Sequence, residues 1–189
     1  MSVIYMIINE IQHIIIPCLI ALPVIILIRL IICKKRGEYS IKREAVIVIF
    51  CLYIVALLSV TFVPEFSLNK GYNVPVFHLP DFSDPDTINL TSPRGWILWK
   101  ITQGKYAELI RNIAGNILVF TPFGLVFPYI FKKLEKKTVL FGFLLSFFIE
   151  FCQLFMNRQS DIYDIIMNVA GTALGYLIFK LIQKKKSRE

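Results

Sequence analysis

Residues 147–177, FFIEFCQLFMNRQSDIYDIIMNVAGTALGYL, place polar side chains between long runs of Phe, Leu, Ile and Val. Glu150 and Gln153 lie inside one apolar run that is long enough to cross a bilayer, and Asn168 lies inside the next. A carboxylate near the middle of a membrane costs at least ~2.5 kcal/mol on insertion scales, so it is rarely found there without a partner or a cavity. This stretch therefore predicts membrane helices that enclose polar groups.

The composition of the whole chain also indicates an integral membrane protein. Hydrophobic residues make up 56% of the sequence and charged residues 18%, whereas a soluble domain is about half apolar and a quarter charged. A net charge of +8 would suggest nucleic acid as the partner of a soluble chain. Here Lys and Arg cluster at the ends of the apolar runs, as membrane-topology signals do. The lipid bilayer is thus the expected partner, and nucleic acid is not.

Five apolar runs predict five membrane-spanning helices, at about residues 11–33, 45–63, 112–131, 138–156 and 165–182. Lys and Arg are concentrated after the first, third and fifth runs, whereas the ten N-terminal residues hold none and residues 157–164 hold one Arg against two Asp. Basic loops face the cytoplasm, so we predict that the N-terminus lies outside and the C-terminus inside. The predicted fold class is an all-α polytopic membrane helix bundle.

The long connection between the second and third runs is predicted to lie outside the cytoplasm. Prolines recur through its first part, which argues against one regular element there. Ser92 and Pro93 match the N-cap and first position of a helix, and Trp96 and Trp99 share a helix face. Because amphipathic aromatic rings prefer the headgroup level, we predict a short interfacial helix over residues 93–103 on the outer leaflet.

These expectations divide the chain into four parts. Residues 1–63 form two transmembrane helices, residues 64–110 an extracytoplasmic loop with the interfacial helix, residues 111–182 a three-helix core, and residues 183–189 a basic cytoplasmic tail.

The cysteines and histidines give no sign of a disulfide or a metal site. Cys18, Cys33, Cys51 and Cys152 each lie in or at the edge of an apolar run, and none forms a CxxC pair. Neither histidine has a second ligand at metal spacing. We therefore expect inert thiols, no metal and no cofactor.

The predicted topology places polar groups of the last three spans in the outer third of the membrane. They share faces of their helices through spacings of three or four residues. The candidate ligand-binding residues are Arg111, Asn112, Asn116, Glu150, Gln153, Arg158, Asp161, Asp164 and Asn168. Arg111 and Arg158 are the available cationic partners for the carboxylates. The alternative is a network that only fastens helices, at ~0.6 kcal/mol per contact, but so many polar groups favour a ligand site.

Proline and glycine in the third and fifth spans have local structural meaning. Pro122 removes a backbone hydrogen bond near the middle of the third span, which predicts either a broken helix that faces a cavity or a simple kink. Gly171 and Gly175 are four residues apart in the fifth span, a spacing that permits close helix approach. We expect these glycines to serve packing rather than catalysis.

Four short motifs together resemble a known family. An Asn precedes a Phe-x-Pro-Phe-Gly stretch, Glu-x-x-Gln follows in the next span, and then come Arg-x-x-Asp-x-x-Asp and Asn-x-x-Gly-x-x-x-Gly. The matching residues are Asn116, Phe120, Pro122, Phe123, Gly124, Glu150, Gln153, Arg158, Asp161, Asp164, Asn168, Gly171 and Gly175. This combination, within residues 111–182, resembles the VanZ-like family of bacterial membrane proteins. The resemblance implies a multi-pass protein of the bacterial plasma membrane, and the founding member is associated with resistance to the glycopeptide teicoplanin.

Three functions remain open at this point. The favoured one is a binding protein that meets a lipid-linked cell-wall precursor or a lipoglycopeptide at the outer leaflet and lowers glycopeptide susceptibility. The second is an enzyme acting on a lipid or envelope precursor, with Glu150 as general acid or base and Asp161 or Asp164 as a second carboxylate. The third, suggested by a broken third span, is a small transporter. Whether the chain is an enzyme, and whether it forms an oligomer, stays open.

Overall fold

The architecture comes from a computed structural model of the protein. It describes residues 3–37, 39–62, 66–67, 71–72, 88–89, 93–155 and 160–187. The chain divides into two compact units, Met1–Val76 and Phe77–Glu189. Helices make up most of the described residues in both units.

The first unit is a helical hairpin. Helix α1 (Val3–Arg36) packs against α2 (Ile41–Phe62), and the two-residue strands β1 (Phe66–Ser67) and β2 (Gly71–Tyr72) form an antiparallel pair. The turn after α1 uses Gly37 with a φ of 68°, a left-handed conformation that glycine adopts without steric cost.

An ion pair joins the two helices close to that turn. Arg29 donates from Nε and Nη2 to the two carboxylate oxygens of Glu44, at 2.7 and 2.9 Å. Two parallel hydrogen bonds of this kind fix geometry as well as charge. The hairpin is therefore held by a directional contact in addition to apolar packing. The cysteines of both units are free thiols: Cys18, Cys33, Cys51 and Cys152.

The second unit is built around its last helix. Its elements are β3 (Ile88–Asn89), α3 (Pro93–Thr102), α4 (Tyr106–Ile130), a 3₁₀ helix (Lys132–Lys137), α5 (Thr138–Leu154), β4 (Ser160–Asp161) and α6 (Ile162–Lys186). Helix α6 packs against both α4 and α5. Strands β3 and β4 pair in parallel, with Ile88 opposite Ser160 and Asn89 opposite Asp161.

The contact between α4 and α6 depends on glycines from both helices. A Cβ atom on Gly124 would overlap the backbone of Thr172, and one on Gly175 would overlap the backbone of Thr121. Gly171 meets the backbone of Ile117 in the same way. The packing role predicted for the glycines of the fifth span is confirmed, and Gly124 contributes to it from the opposite helix.

Helix α4 is continuous through Pro122 and Pro128. Proline in a membrane helix is tolerated where neighbouring groups compensate for the lost backbone bond. The structure therefore does not show the broken third span on which the transporter hypothesis was based.

The fold is a helical membrane bundle, as predicted. Four helical segments within the described residues are long and apolar enough to cross a membrane: Ile14–Arg36, Tyr106–Ile130, Lys132–Leu154 and Ile162–Lys186. Helix α2 covers residues 45–62 of the predicted second span and is not among these four segments. The protein is thus a multi-pass membrane protein. The count of five spans, their orientation and the leaflet position of α3 stay predictions, although α3 itself is a helix that ends one residue before the predicted boundary.

The predicted orientation has a direct test. In a variant without the native cysteines, a membrane-impermeant maleimide added to intact cells should label Ser83→Cys and should not label Lys136→Cys. The reason is that the positive-inside rule places residues 64–110 outside and the lysine-rich 3₁₀ helix inside. Both variants should react after lysis, which controls for reactivity. Labelling of Lys136→Cys in intact cells would reverse the orientation.

Candidate functional site

The first polar contact forms where α6 begins. Asp161 has an extended backbone, and its side chain accepts a hydrogen bond from the backbone N–H of Tyr163 at 2.9 Å. Asp is a preferred N-cap because its short carboxylate satisfies an amide that the first helical turn leaves without a partner. The sequence therefore starts α6 at this point, and it fixes the Asp161 carboxylate at the helix N-terminus.

Glu150 meets the same residue from α5. Its side chain is 3% exposed, and its Oε2 accepts the backbone N–H of Asp161 at 2.9 Å. A helix N-terminus carries partial positive charge, which stabilises a nearby carboxylate. Glu150 thus has one partner in the backbone that leads into α6.

A second contact joins α4 to α6. Asn116 Nδ2 donates to Asp164 Oδ1 at 2.5 Å. Both side chains are half-buried, and Asp164 lies in the first turn of α6. Its carboxylate therefore faces the same favourable helix end as that of Asp161.

A third contact joins α5 to α6 one turn deeper. Asn168 Nδ2 donates to Ser146 Oγ at 2.9 Å, and both residues are buried. Thr172 in turn donates to the carbonyl oxygen of Asn168 at 3.0 Å. Buried polar groups cost free energy unless they are hydrogen-bonded, so this chain of contacts makes the polar side chains compatible with an apolar bundle.

Three helices are therefore joined by side chains that we call the polar network. Its members are Asn116, Ser146, Glu150, Asp161, Asp164 and Asn168. The network is graded in exposure: Ser146, Glu150 and Asn168 are buried, whereas Asn116, Asp161 and Asp164 are partly exposed. A ligand could reach the partly exposed end without unfolding the buried end.

The structure does not bring every predicted residue into this network. Asn112 and Gln153 are half-buried on α4 and α5, and neither side chain forms a hydrogen bond with another described residue. Arg111 is exposed and forms no ion pair within the described parts of the chain. Arg158 lies outside the described residues.

Sequence reasoning missed Ser146, which belongs to the network, and Tyr163, which lies beside it. Ser146 lies four residues before Glu150, and this helical spacing could have revealed it. Tyr163 is completely buried and packs with Leu109, and Ile97 of α3 packs against this pair. No spacing in the sequence distinguishes Tyr163 from the neighbouring aromatic and apolar residues.

The network supplies oxygen acceptors and amide groups rather than a metal site. Within the described ranges, no group of three or more His, Cys, Asp or Glu side chains is arranged to hold a metal ion. Carboxylate oxygens accept hydrogen bonds from hydroxyl and ammonium groups, and such bonds are stronger when one partner is charged. A positioned carboxylate can also exchange a proton with a ligand. The arrangement is suited to a ligand rich in hydrogen-bond donors.

Comparison with known proteins identifies the family. The family model described as VanZ/LLP1 matches residues 45–183. The match extends beyond the motifs of residues 111–182 and includes α2 and the long connection. The searches of curated proteins and of solved structures returned no match. Because the family model matches most of the chain, the chain belongs to the VanZ/LLP1 family.

Proposed function

We propose that this VanZ-like membrane protein binds an amphiphilic or lipid-linked cell-envelope ligand at the outer leaflet through the polar network. Binding lowers susceptibility to glycopeptide antibiotics such as teicoplanin. The observation that carries the proposal is the position of Glu150, which is almost fully buried yet bonded to the N-terminus of α6 beside two further carboxylates.

The charge of the network indicates the chemistry of the ligand. Asp161 and Asp164 are partly exposed at the start of α6, with Glu150 behind them. Fastening the helices would not require three carboxylates, because neutral amides would join them without the cost of taking charge out of water. Their presence therefore favours a role in ligand binding. The ligand is therefore expected to offer hydroxyl or amine donors, as the sugars and amino acids of cell-wall precursors and glycopeptides do.

An enzyme acting on a lipid or cell-wall precursor is the second candidate. It is favoured by the burial of Glu150, since a carboxyl held away from water can serve as general acid or base. Asp161 or Asp164 would be the second carboxylate. Incubation of purified protein with radiolabelled lipid-linked precursor separates the two: binding without turnover supports the first function, and a new labelled product supports the second.

Expression in a teicoplanin-sensitive bacterium tests the favoured function. Cells that carry the protein should need more teicoplanin for growth inhibition than cells with an empty vector. The shift should be smaller for a glycopeptide without an acyl chain, because a ligand at the leaflet level gains affinity from apolar burial. Equal shifts for both drugs would argue against an amphiphilic ligand, and no shift for either would contradict the resistance function.

A further inference from the structure

The turn between α3 and α4 forms a fixed corner. Gly104 has a φ of 68°, the backbone N–H of Lys105 donates to the carbonyl of Lys100 at 2.9 Å, and that of Gly104 donates to the carbonyl of Ile101 at 3.0 Å. These are the paired hydrogen bonds of a Schellman motif, which ends a helix in a defined geometry. The side chains on both sides of the turn are therefore held in place relative to one another.

Two lysines approach the same tryptophan at this corner. The ammonium groups of Lys100 and Lys105 lie 5.4 and 5.0 Å from the centre of the Trp99 ring, within the range of cation–π attraction. Lys100 is buried, and its charge is balanced by an ion pair with Glu108. Lys105 is exposed and takes part in no ion pair within the described residues.

Arg111 adds a second cation on the same side of α4. It follows Glu108 by three residues, so the two share a helix face, and Lys100, Lys105 and Arg111 all act electrostatically on Glu108. One carboxylate therefore stands among three cations, and the corner keeps a net charge of +2. Arg111 belongs to this corner by position, although the sequence suggested it as a partner for Glu150.

Apolar side chains border the charged corner on its outer side. Leu98, Trp99, Tyr106 and Ile110 are 50%, 51%, 56% and 65% exposed. The inner side of α3 is fixed, because Ile97 packs on Leu109 and Tyr163. Cations with apolar neighbours match the boundary between headgroups and acyl chains, where aromatic rings and long basic side chains are favoured.

We propose that Lys105 and Arg111, beside Trp99, bind the phosphate group of an anionic membrane lipid. The occupant follows from charge complementarity: a guanidinium can hold two phosphate oxygens at once, the ammonium of Lys105 adds a point charge, and the apolar border meets the acyl chains. This surface is separate from the polar network and does not depend on the function proposed for it. Near an anionic membrane surface each Lys or Arg contributes about 1 kcal/mol, or about fivefold in affinity.

Energy transfer from Trp99 tests the proposal. In a Trp96→Phe background Trp99 is the sole tryptophan. The protein is placed in phosphatidylcholine nanodiscs that contain a small fraction of either dansyl-labelled phosphatidylglycerol or dansyl-labelled phosphatidylcholine. Transfer should be stronger to the anionic lipid. Lys105→Gln and Arg111→Gln should each reduce this preference about fivefold.

A matched pair of substitutions controls for net charge. Lys184→Gln and Lys185→Gln remove the same charge from the last turn of α6, and they should leave the preference intact. Equal transfer to both labels in the parent protein would overturn the proposal, even if the corner variants failed to fold. If the control pair lost the preference for the anionic lipid as much as the corner variants do, the preference would come from overall charge and not from a site at the corner. Displacement by inorganic phosphate, but not by chloride at the same ionic strength, would assign the corner to a free anion rather than a lipid.

Discussion

Glu150→Gln should abolish teicoplanin protection while the amount and thermal stability of the protein stay near those of the parent. The Gln carbonyl oxygen can still accept the backbone N–H of Asp161 that Glu150 Oε2 accepts at 2.9 Å. This hydrogen bond between α5 and α6 would survive, whereas the charge and the exchangeable proton would be lost. Susceptibility and protein level should be measured in parallel. A fully protective Glu150→Gln variant would leave helix fastening as the better account of the network.

Two further substitutions at the same position separate charge from structure. Glu150→Asp keeps the charge with a shorter reach, so partial protection is expected. Glu150→Leu removes the acceptor and deprives the partly buried backbone N–H of Asp161 of this hydrogen bond, which costs up to about 1–3 kcal/mol. Loss of protein level with Glu150→Leu but not with Glu150→Gln would identify the hydrogen bond as structural and the charge as functional.

The largest loss of stability is expected from a Cβ atom at the contact between α4 and α6. Gly175→Ala places a methyl group against the backbone of Thr121 and Leu125. Backbone atoms cannot move aside as a flexible side chain can, so the helices must separate. Overpacking of this kind typically costs about 1–3 kcal/mol. Thermal unfolding of purified protein in detergent should show a clearly lowered midpoint.

Gly115 provides the matched control in the facing helix. A Cβ atom there would meet no other atom within 4 Å, and alanine is a better helix former than glycine by up to about 1 kcal/mol. Gly115→Ala should therefore leave the midpoint unchanged or raise it. If Gly175→Ala and Gly115→Ala unfolded at the same temperature, the close approach of α4 and α6 would be wrong.

The apolar runs located the helices well because a segment in hydrocarbon must satisfy its backbone hydrogen bonds internally, as a helix does. The run at residues 165–182 lies inside α6, Ile162–Lys186, which continues into the polar residues 183–186 at its C-terminal end and begins one turn earlier, in the turn that contains Asp164. Hydrophobicity reports only the part of a helix that lipid surrounds, so it could not give these ends. The 3₁₀ helix Lys132–Lys137 was missed for the same reason, since its sequence is a run of charges.

The polar side chains were easier to find than their partners. Glu150 and Asn168 stand out against apolar neighbours, and the structure places both in cross-helix hydrogen bonds. One partner of Glu150 is a backbone amide, however, and every residue except proline has such a group. Sequence patterns can show that a carboxylate needs compensation, but they cannot show which peptide group supplies it.

The parallel pairing of β3 with β4 has a consequence for α3. Only residues 90–92 separate Asn89, which is held opposite Asp161, from the start of α3 at Pro93. The other end of α3 is closed by the turn at Gly104. The helix is thus tethered at both ends by short segments. Because a short closed loop has few accessible conformations, little conformational entropy is lost when α3 docks. Lengthening residues 90–92 would increase that entropic cost and loosen the position of Trp99 without altering a single contact that Trp99 makes.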